Sequence, residues 1–128
     1  MPRVRVHSGS PYEERYGFSR GIRVGNRIEI AGTAPIPLPG EQVAPTAYEQ
    51  MRRCGQIAIA ALRDLGASAG EVVRTVMYLT DVADADEVGK AHGELFGEAA
   101  PAATMVVVGG LLDPEWRVEL EVTAVAGD

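Results

Sequence analysis

Glu119 and Glu121 stand in the run Val118-Glu-Leu-Glu-Val122, each carboxylate between two aliphatic side chains. A period of two puts both acids on one face of a strand and Val118, Leu120 and Val122 on the other. A carboxylate rising from an apolar sheet is paired, solvated at an edge, or kept for acid–base work, because an ionised oxygen is costly to remove from water. Spacing leaves those readings open. Other reactive types are sparse. His7, His92 and the single Cys54 form neither H-x-x-x-H nor C-x-x-C, so no metal site is expected. Cys54 falls on the apolar stripe of a helix and reads as an inert thiol, and His92, between Ala91 and Gly93, reads as a packing or helix-surface residue. The glycines make no phosphate-binding fingerprint, and Ser10, Ser19 and Ser68 lie in no G-x-S-x-G context. No cofactor is expected.

Charge narrows the partners. A net charge of −6, with arginines scattered among acids, speaks against nucleic acid, whose affinity comes mostly from cationic groups displacing counterions. Anionic metabolites are not excluded, since one pocket arginine serves them locally. A lone cysteine forms no internal disulfide and suits a reducing compartment. No run has signal-peptide or membrane-spanning length, so the expectation is a cytoplasmic protein with no membrane partner. At 128 residues without a linker-like stretch, the chain reads as one domain over 1–128, able to hide roughly two-thirds of its extended surface.

The elements that must position the glutamates follow from periodicity. Residues 4–7 read as a short strand and 8–16 as a polar connection. Residues 18–24 alternate, Gly25-Asn26 makes a tight turn, and the return strand runs to Thr33. Pro35, Pro37 and Pro39 exclude a ladder. Thr46-x-x-Glu49 is a capping box opening a helix whose stripe includes Met51, Cys54, Ile57, Ala58, Ala61, Leu62 and Leu65, stopped by Gly66. Ser68-x-x-Glu71 caps one turn, and 72–79 is a buried strand. A helix over 84–96 places Val88, Ala91 and Leu95 on one face, with Asp84, Asp86 and Glu87 at its positive end. Strands over 104–108 and 117–125 complete the order βββαβαββ: an α+β fold, one mixed sheet with two helices on one face. Val106 and Val108 on one side of their strand, and Met105 and Val107 on the other, leave apolar groups on both faces. That pattern predicts self-association into a closed ring with ligand clefts between subunits.

The stretch from Phe18 to Thr33 resembles the opening hairpin of the YjgF/Rid family, the reactive intermediate deaminases. The helix ending at Gly66, the segment from Gly70 to Asp81, Pro101-Ala-Ala-Thr-Met105 and Val118-Glu-Leu-Glu-Val122 resemble its later motifs in matching order. The resemblance covers about Phe18 to Ala126. It implies a chorismate-mutase-like (YjgF-like) fold, a homotrimer, and intersubunit clefts that hydrolyse 2-imino acids or enamines to 2-keto acids and ammonia. Those clefts use an arginine on the substrate carboxylate, a glutamate for the water, and a tyrosine and a serine as lining. By the resemblance the glutamate falls on Glu119. The arginine falls on Ala103, the tyrosine on Phe18 and the serine on Ala31. The implied pocket is Phe18, Ala31, Thr33, Ala103, Thr104 and Met105 around Glu119, apolar enough to hold its carboxyl above the ordinary value. Three functions remain open. One is a homotrimer binding or transforming a small metabolite without a free carboxylate. Another is a deaminase in which Arg20 or Arg117 substitutes for the missing arginine. The third is a non-enzymatic interaction or chaperone-like module. The family's older endoribonuclease label finds no histidine pair for acid–base cleavage in this chain.

Overall fold

The structure, a computed structural model, describes residues 1–127. Its core is built around the hairpin of β2 (Gly21–Val24) and β3 (Arg27–Thr33), closed at Gly25, whose φ of 63° suits a residue without a side chain. The strand β1 (Arg3–Val6) adds to β2 antiparallel. On the other side β3 pairs with β6 (Val118–Val125), β6 with β4 (Val72–Leu79), and β4, in parallel, with β5 (Ala102–Val107). The result is a six-stranded mixed sheet in the order β1-β2-β3-β6-β4-β5.

Two helices cover one face. In α2 (Ala47–Asp64), the Thr46 hydroxyl accepts from the Glu49 N–H at 3.1 Å. The helix ends where Gly66, at φ 87°, donates to Arg63 O and Ala67 donates to Leu62 O, which satisfies two of the last carbonyls. Its buried stripe of Met51, Cys54, Ala58, Ala61 and Leu62 lies with Ile28, Met77, Leu120 and Val122 in one core. Val88, Ala91 and Phe96 of α3 (Ala85–Phe96) complete it. The expected alternation of the last strand holds: Val118, Leu120, Val122 and Ala124 are buried, while Glu119, Glu121 and Thr123 are half-buried and Val125 is exposed.

Several boundaries differ from the sequence expectation; β1, for one, runs Arg3–Val6 rather than 4–7. The segment 8–16 contains a helix, α1 (Pro11–Tyr16), capped by the Ser10 hydroxyl accepting from Tyr12 N–H at 3.3 Å and ended by Gly17 at φ 75°. Six residues are too few to show a helical period, so periodicity does not announce it. The element order is therefore βαββαβαββ. The second strand starts at Gly21, not Phe18, although Arg20 still donates to Val6 O and accepts from Ala31 N–H, both at 2.9 Å. β5 covers Ala102–Val107, because its register is set by parallel pairing from Arg74↔Ala102 to Leu79↔Val107. Arg117 precedes the last strand, its N–H held by the Gln50 carbonyl oxygen at 2.7 Å. Among the described residues no helix is long and apolar enough to cross a membrane.

Candidate functional site

The site grows from an irregularity where β3 meets β6. Their register shifts between Ile30 and Thr33, which bulges Ala31 and Gly32 beside Glu119. A Cβ on Gly32 would collide with the Glu119 carboxylate, so the missing side chain gives that carboxylate its seat. Glu119 and Glu121, indistinguishable by spacing, part company here. Glu121 accepts from the Tyr78 hydroxyl at 2.7 Å, a structural pairing. Glu119 faces a cavity of about 850 Å³ shared by the sheet, α1 and α2.

Phe18, Ala31, Thr33 and Glu119 line that cavity together. Thr33 contributes wall rather than contact, being fully buried with its hydroxyl donating to Ala31 O at 2.8 Å. Ala103, Thr104 and Met105 do not line it. They lie on β5 at the sheet edge, with β4 between them and β6. One chain therefore brings together only part of the expected set. The structure adds residues that sequence reasoning passed over: Trp116 and Tyr12 in the wall, and Glu13 behind it. Nothing in the sequence sets Glu13 apart from Glu14; only the turn of α1 buries one and exposes the other.

Of the arginines that could replace the missing guanidinium, Arg20 lines the cavity and Arg117 does not. Arg117 is committed to Asp84 through two nitrogens, at 3.0 and 3.2 Å. Arg20 is nearly buried, its Nε 3.8 Å from the Glu13 carboxylate and its guanidinium over the Phe18 ring at 5.8 Å. That Nε has no hydrogen-bond partner. Glu13 accepts from the Ser8 N–H at 3.2 Å and from the Ser8 hydroxyl, and its other contact is the His7 ring at 3.1 Å.

These contacts set opposite proton affinities on two nearby acids. Burial pushes the Glu119 carboxyl up, as expected for an apolar pocket; Arg20 opposes the rise and Glu121 adds to it. Burial also pushes Glu13 up, but the Ser8 and His7 hydrogen bonds and the Arg20 charge outweigh it and hold the group below its ordinary value. The cavity thus offers a protonatable acid beside a guanidinium already balanced by a second carboxylate. Among the described residues no three His, Cys, Asp or Glu side chains converge as metal ligands.

The family described as endoribonuclease L-PSP matches residues 10–126. The protein SCO2049 of Streptomyces coelicolor is 39% identical over 126 residues, which is 96% of this chain and 92% of that protein. The RutC family protein PYRAB12510 of Pyrococcus abyssi is 37% identical over 108 residues, covering 84% of each. The crystal structure of Rv2704 from Mycobacterium tuberculosis, a member of the YjgF/YER057c/UK114 family, superposes with a TM-score of 0.90 at 34% identity, over 98% of this chain and all of that one. With a family match over nearly its whole length, and the same fold in a solved relative, this chain belongs to the YjgF/Rid family.

Proposed function

We propose that the protein is a homotrimer whose intersubunit clefts bind a small metabolite without a free carboxylate and hydrolyse its C=N bond at Glu119. The observation that carries this reading is the charge balance at Arg20, which Glu13 already matches from behind. Position 103, where the family resemblance expects the carboxylate-binding arginine, is alanine and offers no donor. Without a charge-assisted clamp a 2-imino acid loses on the order of a few kcal/mol of binding, or roughly a hundredfold in affinity. A neutral or cationic imine loses nothing.

The trimer is supported by the exposed edge strand. Every residue of β5 is exposed, including Met105, Val106 and Val107, and an apolar strand edge invites pairing with another chain. Ala103, Thr104 and Met105 could join a cleft with Glu119 only across a subunit boundary. In this reading Glu119 works as the acid–base group. Protonated, it donates to the imine nitrogen while water adds to the carbon. Water's proton passes to the carboxylate, and the resulting carbinolamine then breaks its C–N bond: the carboxyl protonates the leaving nitrogen and takes up the hydroxyl proton, leaving a carbonyl compound and an amine or ammonia. RNA cleavage gains no support from the histidines: His7 borders the cavity, whereas His92 is hydrogen-bonded to Thr75 at 2.7 Å and does not line it.

Two coupled assays test this. An amine oxidase acting on benzylamine supplies an imine without a carboxylate, and threonine dehydratase supplies a 2-imino acid. The protein is expected to accelerate ammonia release only from the first, with a loss of roughly a hundredfold in Glu119→Gln. Equal acceleration of the 2-imino acid would overturn the reading. One observation favours a second reading, a deaminase of carboxylated imines: the Arg20 Nε is buried and unpartnered. It requires that Arg20→Gln abolish turnover of the threonine dehydratase product.

A further inference from the structure

Glu13 occupies a place that no strand of the sheet prepares. It sits on α1, with its side chain 3% exposed, yet it is ringed by donors: the Ser8 N–H and hydroxyl, the His7 ring and the Arg20 guanidinium. A carboxylate removed this far from water persists only when its charge is matched and its lone pairs are used. Here both conditions are met. The same geometry constrains Arg20, which is held by Glu13 behind, by the Phe18 ring at 5.8 Å, and by backbone bonds to Val6 and Ala31.

Charge decides what such a cavity admits. A guanidinium in a poorly hydrated wall is a strong carboxylate site when it stands alone, because few competing charges screen it. With Glu13 at 3.8 Å that attraction is largely cancelled, and an entering anion would also meet Glu119. We infer that Glu13 is the specificity-determining residue of this cleft: it neutralises and anchors Arg20, so that the cavity selects neutral or cationic ligands and rejects carboxylates. This rests on the proposed function and deepens it. Rejection comes from a repulsive group as much as from a missing attractive one.

The test uses 2-oxobutanoate and its uncharged counterpart 2-oxobutanamide as probes, with affinities from calorimetry on the intact protein. Wild type is expected to prefer the amide by roughly tenfold or more, and Glu13→Gln, which frees Arg20, to reverse that preference. Should the single variant unfold, the double variant Glu13→Gln/Arg20→Gln removes both charges together and keeps the cluster neutral. It is expected to retain the wild-type preference. Equal binding of both probes by wild type, or an unchanged preference in folded Glu13→Gln, overturns the role of Glu13 and leaves the cleft intact as a metabolite site. Loss of the preference in the double variant overturns it as well. Binding of neither probe by wild type would instead remove the metabolite-cleft reading, and the role of Glu13 with it.

Discussion

Two acids that differ little in a sequence count respond oppositely to pH in the fold. Glu119 is held above the ordinary carboxylate range, so the folded protein binds more protons than the unfolded chain between the two values. The stability it contributes is full below the unfolded value and is lost as pH rises through the folded one. Glu13 runs the other way. Its lowered value makes its contribution full above the unfolded value and lost as pH falls through the folded one. Thermal melts taken from acid to neutral pH should show Glu119→Gln gaining on wild type as pH rises, and Glu13→Gln losing ground. Parallel trends would contradict the environments described for both groups. Gly32 makes a related prediction. Because an alanine methyl would occupy the seat of the Glu119 carboxylate, Gly32→Ala should displace that side chain and cost about 1–3 kcal/mol in denaturant melts.

At the scale of elements, α2 does the most to place the strand that carries Glu119. Gln50, almost wholly buried, donates to Ala44 O at 2.9 Å and Glu115 O at 3.0 Å, while its carbonyl accepts from Arg117 N–H at 2.7 Å. One side chain thereby ties the start of the helix to the entry of β6, two residues before Glu119. Gln50→Ala should cost about 3 kcal/mol, since it leaves buried backbone groups unpaired, and should weaken ligand binding in the cavity as β6 loosens. The far end of the helix is equally specific. Gly66 sits at φ 87°, where a side chain is strained, and a Cβ would press on the Arg23 guanidinium. Gly66→Ala should lose about 1–2 kcal/mol in chemical denaturation. Between these ends Cys54 is sealed in the core, where burial pushes its thiol up. It should resist thiol reagents until the protein unfolds.

At the scale of the whole molecule, the sheet has one finished face and two strand edges without a neighbour, β1 and the more apolar β5. β5 is exposed along its length, with Val107 at 55%. If that edge and its surroundings close the trimer, light scattering should give three times the 13.6 kDa chain mass. Val107→Asp should shift the particle toward a single chain while circular dichroism stays unchanged. A variant that keeps the full assembly would move the interface elsewhere.

Periodicity and caps were enough to reveal the sheet-and-helix architecture, since each rests on contacts a few residues long. The alternation of Val118 to Val125 and the Gly66 stop stand in the structure as the sequence implied, while of the Thr46–Glu49 capping box only the Thr46 half forms. The helix at Pro11–Tyr16 escaped because six residues carry no period. The cavity was half legible: Glu119, Phe18 and Ala31, named together from the sequence, line it, but spacing could not separate Glu119 from Glu121. Tertiary structure made that separation by giving Tyr78 to one carboxylate and a bulged glycine to the other. It alone also turned Glu13 inward against Arg20 and sent Arg117 to Asp84. Those pairings join residues from separate elements, and the balance of charge they create is a property of distance in space that no local pattern encodes.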